Sequence, residues 1–130
     1  MNNEELLELA RNASKNSYSP YSKFAVGACV LYESGSHYTG CNVENSSFGL
    51  SLCAERNAIS TAIANGEKSK MKAIAIFSPN CTKCLPCGAC RQWFSEFVES
   101  DFQVIVEDND HNPTCYGMND LLPNSFNLIH

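Results

Sequence analysis

A chain of 130 residues holds one ordinary domain around one core, and its apolar runs, such as Ala73-Ile74-Ala75-Ile76-Phe77, fall far short of the roughly 20 apolar residues that span a bilayer. Fourteen acidic against nine basic side chains leave a formal charge of −5, which argues against nucleic acid or another polyanion as partner. Eight cysteines behind an acidic, polar N-terminus that is no secretion signal point to a cytoplasmic protein whose thiols serve metal binding or catalysis.

In chain order, Leu6, Leu9, Ala10 and Ala13 recur at helical spacing behind Asn2 and Asn3 as candidate caps, which predicts a helix over roughly residues 3–15. Ser17 to Ser22 reads as a loop. Phe24 to Tyr32 is apolar and β-prone, Glu33-Ser34-Gly35-Ser36 is a turn, and His37 to Val43 resumes extended structure, so this region is a hairpin. Cys53 to Ala64 places Ala54, Ala58, Ile59, Ala62 and Ile63 on one side of a helix that Asn65-Gly66 stops. The only basic cluster, Lys68, Lys70 and Lys72, follows as a solvated turn. Met71 to Phe77 suits a buried central strand. Pro86-Cys87-Gly88 starts another helix, with Trp93, Phe94, Phe97 and Val98 as its buried stripe. Phe102 to Val106 is a strand, Asp108-Asn109-Asp110 a turn, and Pro113 to Tyr116 an edge strand. With no repeat and no low-complexity linker, residues 1–130 read as one α/β sandwich domain with a mixed sheet.

Two segments carry chemistry: Cys53-Ala54-Glu55-Arg56 and Pro86-Cys87-Gly88-Ala89-Cys90-Arg91. Each opens a predicted helix, where the dipole and free N–H groups favour thiolate. Cys-x-Glu followed by Pro-Cys-x-x-Cys resembles the signature of the zinc deaminases in its three-cysteine form. None of the three histidines, His37, His111 and His130, falls in the pattern. Cys53, Cys87 and Cys90 with a water would make an open, catalytic zinc site. Three thiolates leave such a site with net negative charge, which Arg56 is placed to draw off by donating to sulfur. Glu55 shares a helical turn with Cys53 and reaches the activated water without ligating, as a proton carrier. Two other readings stand beside this one. Cys-x-x-Cys alone is a redox motif, and Cys81-x-x-Cys84-x-x-Cys87-x-x-Cys90 resembles an iron–sulfur run. The last spacing of that run is wrong, and it leaves Cys53-Ala54-Glu55 unexplained. Cys81 and Cys84 are read as loop cysteines near the site, and Cys29, Cys41 and Cys115 as small apolar residues in strands.

Through these residues the chain resembles the small cytidine deaminases over nearly its whole length. Tyr18-Ser19-Pro20-Tyr21-Ser22-Lys23-Phe24 and Val26-Gly27-Ala28 are similar to the family's opening loop and strand, and Gly40-Cys41-Asn42-Val43-Glu44-Asn45 to its nucleoside-binding strand. Leu121-Leu122-Pro123 with Phe126 resembles its C-terminal signature. The resemblance implies a three-layer α/β/α sandwich with a mixed five-stranded sheet, one zinc ion per chain and a homotetramer. It also implies that Phe24 packs on the pyrimidine and that Asn42 and Glu44 hydrogen-bond the ribose hydroxyl. The Ala54 backbone would read the base edge, and Phe48 and Phe126 would reach toward a neighbour's site. Phe48 stands where Tyr is usual, Leu85 where Ser is usual, and Trp93 is bulkier than the family's aliphatic residue. The expected reaction is deamination of cytidine and deoxycytidine to uridine and deoxyuridine, in pyrimidine salvage. The alternatives are a related cytosine nucleoside such as blasticidin S or, from another class, a non-catalytic zinc or iron–sulfur module.

Overall fold

The computed structural model describes residues 1–126 and Leu128. Its first helix, α1 (Asn3–Ser14), begins where the Asn2 side chain accepts the Glu5 N–H at 2.8 Å and the Glu5 carboxylate accepts the Asn2 N–H at 3.2 Å. This reciprocal pairing satisfies two of the N–H groups a helix start leaves open. The buried face is Leu6, Leu7, Ala10 and Ser14, rotated slightly from the expected one: Leu7 faces the sheet and Ala13 does not.

The hairpin forms as expected from β1 (Gly27–Tyr32) and β2 (His37–Cys41), with Gly35 at φ +90° in the turn, a conformation that suits glycine. Then come α2 (Ala54–Ala64), β3 (Met71–Phe77), α3 (Gly88–Phe94), β4 (Val98–Glu107), β5 (Pro113–Gly117) and the single turn α4 (Met118–Leu121). The sheet order is β2-β1-β3-β4-β5. Only β3 and β4 run parallel, joined by the crossover through α3, so the sheet is mixed and five-stranded.

Strand alternation sorts the core into two faces. Cys29, Ala73, Ala75 and Ile105 meet Leu6, Leu7 and Ala10 of α1. Ala28, Val30, Ile74, Ile76, Val104 and Val106 meet Ala58, Ile59 and Ala62 of α2, with Cys90 and Phe94 of α3. The result is the expected three layers, α/β/α. Two glycines set how closely the outer layers approach. A Cβ on Gly27 would lie 2.0 Å from the Ala10 carbonyl oxygen, and one on Gly40 would lie 2.4 Å from the Ala58 nitrogen. At both points helix backbone rests directly on strand.

The third helix departs from expectation. It ends at Phe94, the Phe97 N–H returns to the Phe94 carbonyl at 2.9 Å, and Val98 already starts β4, whose Val98 pairs with Met71 before a bulge. Its buried stripe is therefore Cys90 and Phe94, with Phe94 edge-on to Phe102 at 5.9 Å between ring centres. Trp93 is 38 % exposed and leans on Phe97 outside the core. The apolar spacing of Trp93, Phe94, Phe97 and Val98 runs on across a chain reversal. Leu121, which the sequence matches to the family's C-terminal signature, is buried in the chain's own core. Among the described residues no helix is long and apolar enough to cross a membrane.

Candidate active site

Cys53 is the N-cap residue of α2, Cys87 that of α3, and Cys90 lies on the first turn of α3. The two helix starts bring three sulfurs together, all within 4.8 Å of one another, with 4.0 Å between Cys53 Sγ and Cys87 Sγ. That separation is about twice a disulfide bond and close to the roughly 3.8 Å edge of a tetrahedron of sulfurs around zinc. Cys81 and Cys84 are not in this group, so the four-cysteine run is not one cluster.

The Arg56 Nη2 donates to Cys53 Sγ at 3.3 Å. The neighbouring Cys90 thiol and this guanidinium together draw the Cys53 thiol down to about 5, against its burial. The closeness of Cys53, with burial and the nearby Glu55, holds the proton on Cys90 and pushes its thiol well up. Crowded sulfurs cannot all ionise unaided, and a divalent cation is what would release the retained proton. The donor set, three thiols with a guanidinium beside them, fits a soft or borderline metal such as zinc. The buried Nε of Arg56 has no partner among the described residues.

Glu55, one residue into α2, is only 5 % exposed. Burial raises its carboxyl to about 7, opposed by a hydrogen bond to its own backbone and reinforced by the Cys53 charge. No salt bridge reaches it among the described residues. A carboxyl that titrates near neutrality in a cavity wall has the property a general acid–base needs.

The cavity has a volume of about 280 Å³, at the small end of ligand sites and fit for a single nucleoside-sized molecule. Phe24, Asn42, Glu44, Cys53, Ala54, Glu55 and Cys87 line it, as the sequence reading expects. The Asn42 Oδ1 accepts the Val26 N–H at 2.9 Å and the Ser17 hydroxyl, and its Nδ2 donates to the Phe24 carbonyl at 2.8 Å. Glu44 accepts the Tyr21 and Ser22 N–H groups, each at 3.1 Å, and the Ser22 hydroxyl. That hydroxyl, followed by the two backbone donors and Lys23, holds its carboxyl below the usual range.

Phe48 and Phe126 do not line this cavity. Phe48 sits on a short 3₁₀ turn, Phe48–Leu50, packs edge-on to Tyr21 at 6.0 Å and is 73 % exposed. Phe126 is 67 % exposed, and its carbonyl accepts the Gln92 Nε2 at 2.8 Å. Missed at the sequence level were Val26, Ser51, Leu52 and Leu85, which also line the cavity with Cys84. Leu52 is placed by its two backbone bonds to Val43, at 2.8 and 3.0 Å, a single isolated bridge with no signature in spacing. Arg91 was noticed only as part of a motif. Its Nε donates to the Pro86 carbonyl at 2.8 Å and its Nη1 to the Leu121 carbonyl at 2.9 Å, tying the loop before Cys87 to the C-terminal segment.

A family profile described as cytidine and deoxycytidylate deaminase zinc-binding region matches residues 1–106. The probable cytidine deaminase of Dictyostelium discoideum is 42 % identical over 130 residues, covering 97 % of this chain and 86 % of the relative. The cytidine deaminase of Sporosarcina psychrophila is 38 % identical over 126 residues, 97 % of this chain and 92 % of its own. Among solved structures, cytidine deaminase from Burkholderia pseudomallei superposes with a TM-score of 0.88 at 38 % identity, over 97 % of this chain and all of that one. That from Mycobacterium tuberculosis gives 0.85 at 37 %, covering 98 % and 99 %.

Proposed function

This chain belongs to the cytidine and deoxycytidylate deaminase family with a zinc-binding region, and from that premise we propose that it hydrolyses cytidine and deoxycytidine to uridine and deoxyuridine with release of ammonia. The observation that carries the reading is a buried carboxyl, Glu55, beside three convergent thiols in the wall of a nucleoside-sized cavity. One zinc ion per chain, held by Cys53, Cys87 and Cys90, would supply the Lewis acidity that turns water into a nucleophile at neutral pH. Glu55 then moves the protons: its carboxylate takes one from the attacking water, gives it to the ring nitrogen and later protonates the departing amine. Arg56 stabilises negative charge on Cys53 Sγ through its 3.3 Å contact.

The rim supplies the sugar site. One N–H of Asn42 Nδ2 is engaged with the Phe24 carbonyl, which leaves the second to donate. Glu44, kept ionised, has lone pairs to accept. A donor beside an acceptor suits a sugar hydroxyl, which is both. Phe24 offers a ring face to the base, and the Ala54 backbone at the start of α2 is assigned the base edge. Phe48 and Phe126, exposed in one chain, are assigned to a neighbour's site in a homotetramer. The chain acts as a single domain, residues 1–130, in cytoplasmic pyrimidine salvage. The test is ammonia release from cytidine, deoxycytidine, cytosine, CMP and blasticidin S, with zinc measured on the same preparation. Turnover confined to the two plain nucleosides is expected; turnover confined to blasticidin S, or an iron chromophore in place of zinc, overturns the reading.

A further inference from the structure

The proposed reaction leaves two neighbouring thiols unused, Cys81 and Cys84, in the loop between β3 and α3. Ser78 and Cys81 form an isolated antiparallel bridge, Lys83 takes a φ of +49°, and the Leu85 N–H returns to the Lys83 carbonyl at 2.8 Å. The backbone thus doubles back within a few residues and carries both cysteines on one tight turn. The turn is held from outside. Thr82 Oγ1 donates to Asn109 Oδ1 at 2.6 Å, the Lys83 N–H to the Glu107 carbonyl at 2.7 Å, and Asn80 Oδ1 accepts the Ala25 N–H at 2.9 Å. Cys81 is exposed, whereas Cys84 is half-buried against the core and lines the same cavity as Glu55 and Leu85. Burial pushes the Cys84 thiol up to about 12, so the exposed partner reacts first.

We propose that Cys81 and Cys84 form an oxidisable dithiol in the cavity wall, which a low-molecular-weight disulfide converts into an intramolecular disulfide that reversibly lowers turnover. The Cys81 thiolate attacks one sulfur of the reagent, the reagent's S–S bond breaks, and one thiolate leaves, giving a mixed disulfide on Cys81. Cys84, losing its proton, attacks the Cys81 sulfur and expels the second thiolate. The two protons end on the two released thiols, and two electrons pass from the cysteine pair to the reagent. Drawing the Cys84 sulfur out to Cys81 moves the wall beside Glu55 and Leu85. The effect on turnover rests on the deaminase reading; the disulfide does not.

The experiment treats the zinc-loaded protein with glutathione disulfide, alkylates the remaining thiols and maps the peptides by mass spectrometry, with zinc and ammonia release measured alongside. A Cys81–Cys84 linked peptide, unchanged zinc, and turnover that falls and returns with dithiothreitol are expected. Cys81→Ser should keep its zinc and activity, form no link and ignore the reagent. A persistent mixed disulfide on Cys81 with Cys84 still alkylated overturns the proposal. So does oxidation confined to Cys53, Cys87 and Cys90 with zinc release, or complete linkage with turnover unaltered. A linked peptide in a protein inactive on all cytosine nucleosides supports the dithiol and overturns only the deaminase reading.

Discussion

Glu55 and Glu44 are two carboxylates in one cavity held in opposite states by their surroundings. Glu55 is buried with no salt bridge among the described residues and its carboxyl rises to about 7; Glu44 sits among three donors and stays ionised. The first suits proton transfer and the second suits hydrogen bonding to a neutral sugar. Glu55→Gln keeps the shape but can neither take nor give a proton, so kcat on cytidine should fall by about 10⁴-fold, the upper end for general acid–base catalysis. Zinc per chain should stay at the parent level, because Glu55 is not assigned as a ligand. Activity within tenfold of the parent with zinc retained would remove Glu55 from its role. Glu44 sets the substrate charge. A phosphate entering near a carboxylate meets like-charge repulsion worth on the order of 1 kcal/mol even when well solvated. CMP should therefore be turned over with at least about fivefold lower kcat/KM than cytidine, as side-by-side ammonia release will show.

At the scale of elements, the layers are held at backbone contact by two glycines, and only one of them bears on chemistry. Gly40 of β2 supports α2, whose first turn carries Cys53 and Glu55; Gly27 of β1 supports α1, away from the thiol cluster. An added methyl at either place meets backbone, which cannot rotate aside. Both Gly40→Ala and Gly27→Ala should cost about 1–3 kcal/mol, read as a lower Tm. Gly40→Ala should also lower zinc content and kcat, while Gly27→Ala should leave the folded fraction as active as the parent. Equal loss of activity in both variants would show that α2 placement does not set the site. Helices α1 and α2 were legible because an apolar helical period holds over more than ten residues in each. The Cys-x-Glu and Pro-Cys-x-x-Cys segments were legible because thiols that could hold a metal from helix starts need a fixed spacing. What escaped is shorter or held by single contacts. The one-turn α4 and the Phe48–Leu50 turn are below the length at which a period shows, the Phe94–Val98 reversal mimics a helical stripe, and Ser51 and Leu52 reach the cavity through one bridge to Val43.

For the whole molecule, the unresolved balance is apolar surface. Phe48, Leu50, Phe126 and Leu128 are each at least two-thirds exposed, with Leu128 at 83 %, on a chain whose two cores already bury the residues the sheet and helices supply. Leu122 is half-buried, and Ile129, a further apolar residue of the C-terminal sequence, lies outside the described residues. Aromatic and aliphatic side chains left in water on a small acidic protein favour association, since each one covered contributes about 1.5–3 kcal/mol before the entropy of assembly is subtracted. The two phenylalanines also flank the functional region from outside. Phe48 leans on Tyr21, whose N–H holds Glu44, and the Phe126 carbonyl is fixed by Gln92 of the same helix that carries Cys90. A self-association that covers them would close the cavity and order its rim in one step, as the proposed homotetramer requires. Phe48→Glu with Phe126→Glu should then shift sedimentation at micromolar concentration from tetramer toward monomer. In that variant KM for cytidine should rise by about tenfold or more, while zinc per chain stays at the parent level, because the three thiols belong to one chain. A parent protein that sediments as a fully active monomer would show instead that these side chains serve neither assembly nor substrate.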